Sequence, residues 1–358
     1  NEKHQIIHVG IQGKKIETDN LPPSNLVFLL DVSGSMNQAN KLPLVKSAFK
    51  LLLDQLRPED RVAIVTYAGN AGVVLESTAA SEKEKIWAAM KGLTPGGSTA
   101  GAQGIITAYD IAKSNFIKGG NNRVILATDG DFNVGASSDK ALVDLIAKER
   151  KSGVFLTVLG FGMGNYKDGR MEQISNAGNG NYFYIDNIKE AKKVFSTDMR
   201  ANMFTIAKDV KIQIEFNPNQ VKAYRLIGYE NRMLKSEDFN DDKKDAGELG
   251  AGHTVTAIYE IIPVGVESDF LTKVDKLKYQ KEKKRKTKAA KSAELLTIKL
   301  RYKKPDGDES QLIEKPVIDT NLELKETSDN FRWSAAVAGF GMILRDSEFK
   351  KDAKYDMV

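Results

Sequence analysis

Leu26-Val27-Phe28-Leu29-Leu30-Asp31-Val32-Ser33-Gly34-Ser35 is the stretch that decides the fold of this chain. Five consecutive apolar residues, with no alternation, read as a strand buried on both faces, as in a parallel sheet covered by helices. The pentapeptide Asp31–Ser35 then falls at the carboxyl end of that strand, where open α/β sheets bind ligands. One carboxylate and two hydroxyls at alternate positions turn their oxygens toward a common point. All three are hard donors, suited to a small hard cation such as Mg²⁺.

Outward from this stretch, residues 24–203 alternate apolar runs with amphipathic stretches, the pattern of a doubly wound, mostly parallel, Rossmann-like α/β sheet. Strands are predicted at Asn25–Asp31, Arg61–Ala68, Gly72–Leu75, Arg123–Thr128, Val154–Gly160 and Asn181–Ile185. Leu42, Val45, Phe49, Leu52, Leu53 and Leu56 keep helical spacing up to Pro58. Ser81 and Glu84 are spaced as a capping box for a helix through Met90. Gly101–Ile117, Asp139–Lys151 and Ile188–Asp198 supply further helices, the second ended by Gly153 as a left-handed cap. Beyond Phe204 the texture becomes antiparallel β, with strands near Ala207–Phe216, Val221–Tyr229, His253–Val264, Ala293–Tyr302 and Gln311–Val317. Gln5–Ile11 is β-like too and is expected to join this later sheet. Residues 1–20 plus 204–327 therefore read as a discontinuous antiparallel β domain. Residues 328–358 read as a C-terminal helical segment with a broad apolar surface.

Two further segments fall on the same carboxyl edge as the first motif. Gly96-Gly97-Ser98-Thr99 opens a helix, and Ala127-Thr128-Asp129-Gly130 ends a strand. With these in place, the region from Leu26 to about Ser196 resembles the von Willebrand factor type A domain family. Its metal-ion-dependent adhesion site combines Asp-x-Ser-x-Ser with a threonine and an aspartate from two other loops. The resemblance puts Asp31, Ser33, Ser35, Thr99 and Asp129 in those roles; Asp131, just beyond Asp129, is a candidate for a group behind them by position alone, which does not decide it. It implies a Mg²⁺ centre, with Mn²⁺ and Ca²⁺ as alternatives, that binds a protein ligand offering an acidic side chain. Asn20–Ser24, Asp329–Trp333 and Gly339–Met342 resemble a bacterial group within the family whose members are often exported lipoproteins, which implies the cell envelope or periplasm, with the cytoplasm as the alternative. Three hydroxyls and one or two carboxylates would leave the ion electron-poor, ready for a further carboxylate from outside.

Composition narrows the remaining classes. The chain has no cysteine, which excludes disulfides, thiolate catalysis and Cys-ligated zinc. A net charge of +5 over 358 residues does not read as a nucleic-acid binder. No apolar run is long enough to span a bilayer. The chain begins at Asn1 and not Met, which reads as an excised piece, with any membrane attachment supplied by an N-terminal segment outside it. Gly160–Gly164 lacks the spacing of a dinucleotide loop and reads as a plain loop. The basic run Lys278–Lys291 reads as a solvated loop between strands. Asp168 and Glu172 read as acids at a helix start. His4, His8 and His253 read as structural or exposed.

The expected function is thus a binding module and not an enzyme. Two alternatives are a metal-dependent hydrolase and a scaffold whose metal only stabilises the fold. The hydrolase would need a base and further carboxylates, whereas the position two residues after Asp31 is Ser33 and no histidine is close in sequence.

Overall fold

β2 (Ser24–Asp31) is buried at every position, the consequence of an apolar run that offers both of its faces to helices. The structure is a computed structural model that describes residues 3–17, 21–68, 70–97, 101–130, 139–163, 168–197, 203–229, 233–244, 246–271 and 287–357. It divides into two compact units: Lys14–Lys208 with Gly247–His253, and Asn1–Gly13 with Asp209–Ala246 and Thr254–Val358.

In the first unit, β2 is followed by α1 (Leu42–Gln55), β3 (Arg61–Ala68), β4 (Asn70–Ala79), α2 (Lys83–Lys91), α3 (Gly101–Ser114), β5 (Asn121–Thr128), α4 (Asp139–Glu149), β6 (Phe155–Phe161), α5 (Asp168–Ala177), β7 (Tyr182–Ile185) and α6 (Ile188–Lys192). The sheet order is β4-β3-β2-β5-β6-β7, parallel throughout except for β4 at one edge. Alternate residues of β2 feed opposite cores. Leu26, Phe28 and Leu30 pack with Val45, Phe49 and Leu52 of α1, and Val27 and Leu29 pack with Ile105, Ala108 and Tyr109 of α3. Phe28 and Phe49 meet edge to face at 4.7 Å. Arg123 of β5 is 1% exposed, and its guanidinium donates to Thr157 Oγ1 (2.7 Å) and the Met203 carbonyl (3.2 Å). Burial lowers its pKa to about 10, against the pull of Glu248.

Tyr109 is fully buried, and its hydroxyl has no hydrogen-bond partner among the described residues. Burial foremost, and the Glu149 charge after it, raise its pKa, with Arg150 and Arg123 opposing. A raised folded-state pKa means stability that is full below the unfolded value of about 10 and is lost as pH climbs above it. The expected result is an extra loss of about 1.4 kcal/mol per pH unit above pH 10. Tyr109→Phe should lack that share of the alkaline limb in urea titrations. Identical limbs would refute it.

Three local expectations need correction. The Ser81–Glu84 capping box does not form: Glu82 is the N-cap, without a side-chain cap bond, and its N–H is spent on the Ala79 carbonyl. The Gly72–Leu75 strand is part of the longer β4, whose register against β3 shifts on both sides of Leu75. The helix from Ile188 keeps α geometry only to Lys192 and then widens into a π turn over Lys193–Thr197.

The second unit is antiparallel β. β1 (Gln5–Gln12) pairs with β11 (Thr254–Pro263), which pairs with β9 (Val221–Ile227). β8 (Thr205–Phe216), which belongs to this unit from Asp209 on, shares a sheet with the hairpin of β12 (Glu294–Lys303) and β13 (Gln311–Ile318), whereas the short β10 (Gly247–Gly250) belongs to the first unit. β10, a four-residue strand with one apolar side chain, escaped the sequence reading. Helix α7 (Asp329–Leu344) is capped by Ser328 and leaves Trp333, Val337 and Leu344 exposed. No helix among the described residues is long and apolar enough to cross a membrane.

Candidate metal centre at the carboxyl edge of the parallel sheet

From β2 the chain runs to β3 on one side of the sheet, and later β5 joins on the other, so the strand order reverses between β2 and β5. That is the switch point at which such sheets open a crevice. Asp31 is the last residue of β2, and Asp129 directly follows β5.

Asp31 is 1% exposed. Its Oδ1 accepts the Ser33 N–H (2.9 Å), which turns the chain sharply off the strand. Its Oδ2 accepts the Tyr67 hydroxyl at 3.2 Å and the Thr128 hydroxyl at 3.4 Å. Gly34–Asn37 then form a 3₁₀ turn anchored by Met36, which is wholly buried. The Ser33 and Ser35 hydroxyl oxygens lie 3.0 Å apart. The second loop is tied to this turn through backbone: Gly96 N–H donates to the Val32 carbonyl (2.7 Å), and Gly34 N–H donates to the Gly97 carbonyl (3.4 Å). Gly97 has φ +83°, and a Cβ there would meet the Ala68 carbonyl oxygen at 3.1 Å, so glycine is required on both counts. Thr99 and Asp131 lie outside the described residues. In the third loop the buried Asp129 carboxylate receives the Lys41 ammonium at 2.8 Å.

Asp31, Ser33, Ser35 and Asp129 are therefore placed at one end of neighbouring strands. Burial pushes the Asp31 carboxyl up, and the Asp129 charge adds to this, while hydrogen bonds from Ser33 and Tyr67 oppose it. Burial, then the Asp31 charge, holds the Tyr67 hydroxyl well above its ordinary range, so it stays a donor. Two buried carboxylates beside two adjacent hydroxyl oxygens form a donor set that fits a hard cation. Among the described residues no group of three or more His, Cys, Asp or Glu offers an alternative metal cluster.

Sequence reasoning missed Tyr67, Thr128 and Lys41. The parallel register sets Tyr67 directly beside Asp31, and Thr128 precedes Asp129, so both carried a usable signal. Asp168 sits in the first turn of α5 and accepts the Tyr182 hydroxyl. In the second unit His4 Nδ1 lies 2.6 Å from Glu260 Oε1 and Nε2 lies 2.9 Å from Ser268 Oγ, with Arg225 Nε donating to the other Glu260 oxygen at 2.7 Å. This chain of bonds fixes the segment before β1. Of the basic run, residues 278–286 lie outside the described residues.

An Asp-x-Ser-x-Ser turn at the switch point of a six-stranded, mostly parallel sheet defines the class. Residues 25–197 match the family described as "von Willebrand factor type A domain", and this part of the chain is such a domain. Residues 201–358 match the family described as "Uncharacterized protein YfbK, C-terminal". Over all 358 residues the chain is 45% identical to the "Uncharacterized protein YfbK" of Escherichia coli (strain K12), and it belongs to this YfbK-like group of von Willebrand factor type A proteins. It spans 61% of that relative's length. Another relative, "Uncharacterized protein sll0103" of Synechocystis sp., is 31% identical over 194 residues, 53% of this chain and 44% of that one. Among solved structures, "von Willebrand factor type A from Catenulispora acidiphila" matches with a TM-score of 0.51 at 16% identity, over 94% of this chain and 79% of that one. That is a likeness of fold. Domains of this family commonly bind protein partners through a divalent metal.

Proposed function

We propose that this chain is a divalent-cation-dependent protein-binding module and not an enzyme. Asp31, Ser33, Ser35, Thr99 and Asp129 would hold the ion, Mg²⁺ by preference. Thr99 is assigned by its place in the loop whose Gly96 and Gly97 are bonded to the Asp31–Ser35 turn. A bound dication supplies a hard electrophilic position that an acidic side chain of a partner protein can occupy. The observation that carries the reading is the pairing of Asp31, its two serines and Asp129 across the switch point. The domain limits go with it: an adhesion-type domain over 24–203, a β domain over 1–20 plus 204–327, and a helical segment over 328–358. So does a cell-envelope location, which fractionation of source cells tests.

The direct test is capture of partners from the source organism on the immobilised chain. With Mg²⁺ at about 1 mM, the upper end of the dissociation constants of weak extracellular calcium modules, specific partners should be retained. Chelator, or Asp31→Ala, should cut their recovery by at least about tenfold, a loss of about 1.4 kcal/mol. Equal recovery in all three arms would reduce the metal to a scaffold role. Chelator-sensitive turnover of phosphate or peptide substrates, lost in Asp31→Ala, would favour a hydrolase.

A further inference from the structure

Lys41 immediately precedes α1, fixed by its N–H to the Gln38 carbonyl (3.0 Å) and by its own carbonyl to Val45 N–H (2.8 Å). From there its side chain, 11% exposed, delivers Nζ to within 2.8 Å of Asp129 Oδ2, whose side chain is 3% exposed. The stem lies on Gly162, just past β6: a Cβ there would stand 2.6 Å from Lys41 Cε and 3.2 Å from Cγ. Gly162 has φ +92°, and its carbonyl accepts the Tyr184 hydroxyl. The glycine in a loop without dinucleotide spacing thus makes the slot in which a lysine stem lies. An ammonium is a compact point charge, unlike a guanidinium fork, and burying one is costly unless an anion meets it.

We infer that Lys41 is a built-in cation that competes with the divalent ion for Asp129 and leaves the loaded centre with a net positive charge. The inference rests on the proposed metal site. Among the described residues, Asp31 and Asp129 supply two negative charges, and Lys41 cancels one of them. A dication added to this set leaves one positive charge, whereas without Lys41 the sum is zero. The lysine therefore weakens the hold on the ion and strengthens its appeal to an incoming carboxylate. It is a specificity-determining residue for charge and need not touch the partner.

The test is calorimetric titration of metal-free chain with Mn²⁺ alone, followed by thermal unfolding with and without Mn²⁺. Lys41→Met should bind Mn²⁺ at least about tenfold more tightly than wild type. Its metal-free form should melt lower, because Asp129 loses the Lys41 ammonium, and its metal-induced rise in Tm should be larger. Lys41→Gln, which keeps a polar stem, should move the same way and serves if the methionine variant misfolds. Mn²⁺ binding to wild type with unchanged affinity in both variants overturns the role of Lys41 alone. No binding to any of the three proteins, with Asp31→Ala behaving like wild type, overturns the metal site and this inference with it.

Discussion

Alanine at Gly180 is expected to destabilise the first unit by about 4 kcal/mol or more. A Cβ there would lie 1.8 Å from the Leu156 carbonyl oxygen and 2.5 Å from its carbon. These are backbone atoms of β6, and no rotamer change relieves the clash. β6 cannot retreat, because Arg123–Thr128 hold it in register from the other side. The chain around Gly180 is equally committed. Leu156 N–H donates to the Gly178 carbonyl (2.8 Å), Val158 N–H to the Asn181 carbonyl (2.9 Å), and Gly180 N–H to the Ser175 carbonyl (3.0 Å). Relief requires β7 to peel from the sheet, which adds lost hydrogen bonds of about 1 kcal/mol each to an overpacking cost of about 1–3 kcal/mol. For a unit of this size the drop in Tm is about 8–16 °C. Gly169→Ala, where nothing lies within 4 Å, is the control. A Gly180→Ala melting point within 2 °C of wild type, on the scale of that drop, would refute the steric argument.

What the sequence disclosed follows the range of the interactions. β2 could be read from its unbroken apolar run and α1 from its helical spacing, because every residue of either pattern is buried for the same reason, apolar contact with a neighbouring layer. The Asp31–Ser35 turn was legible because its bonds close within two residues, Asp31 to Ser33 and Ser33 to Ser35. The π turn after α6 was not, since Val194 and Phe195 are apolar, core-facing residues that an ordinary α turn would equally show in sequence. Ser81 carried a local signal that lost to a backbone turn. Lys41 was illegible for a different reason. Its partner lies 88 residues away, and its slot depends on a glycine in a third loop. Long-range charge pairing leaves no period in the chain. His4 is the same case, its carboxylate partner standing 256 residues downstream.

Asp31→Asn should separate the cost of the site from its use. In the metal-free protein the substitution removes a buried negative charge that burial and Asp129 both disfavour. It keeps the local bonds. The amide oxygen can accept the Ser33 N–H, and the amide nitrogen then faces the Tyr67 and Thr128 hydroxyls, which turn to accept. The metal-free variant is therefore expected to melt at or above wild type. With Mg²⁺ the order reverses. At a hundredfold excess over Kd, an ion that binds only the folded state stabilises wild type by about 2.7 kcal/mol. For a unit of this size that is a rise of about 5–11 °C in Tm. The asparagine variant, lacking the anionic oxygen, should gain less than about 1 kcal/mol from the same addition, a rise of about 2–4 °C at most. Differential scanning calorimetry with chelator and with Mg²⁺ reads both arms. An equal Mg²⁺-induced rise in the variant would show that the ion sits elsewhere. A large loss of stability in the metal-free variant would show that Asp31 is held for folding, since a residue retained for an ion should be dispensable to the fold and indispensable to the response.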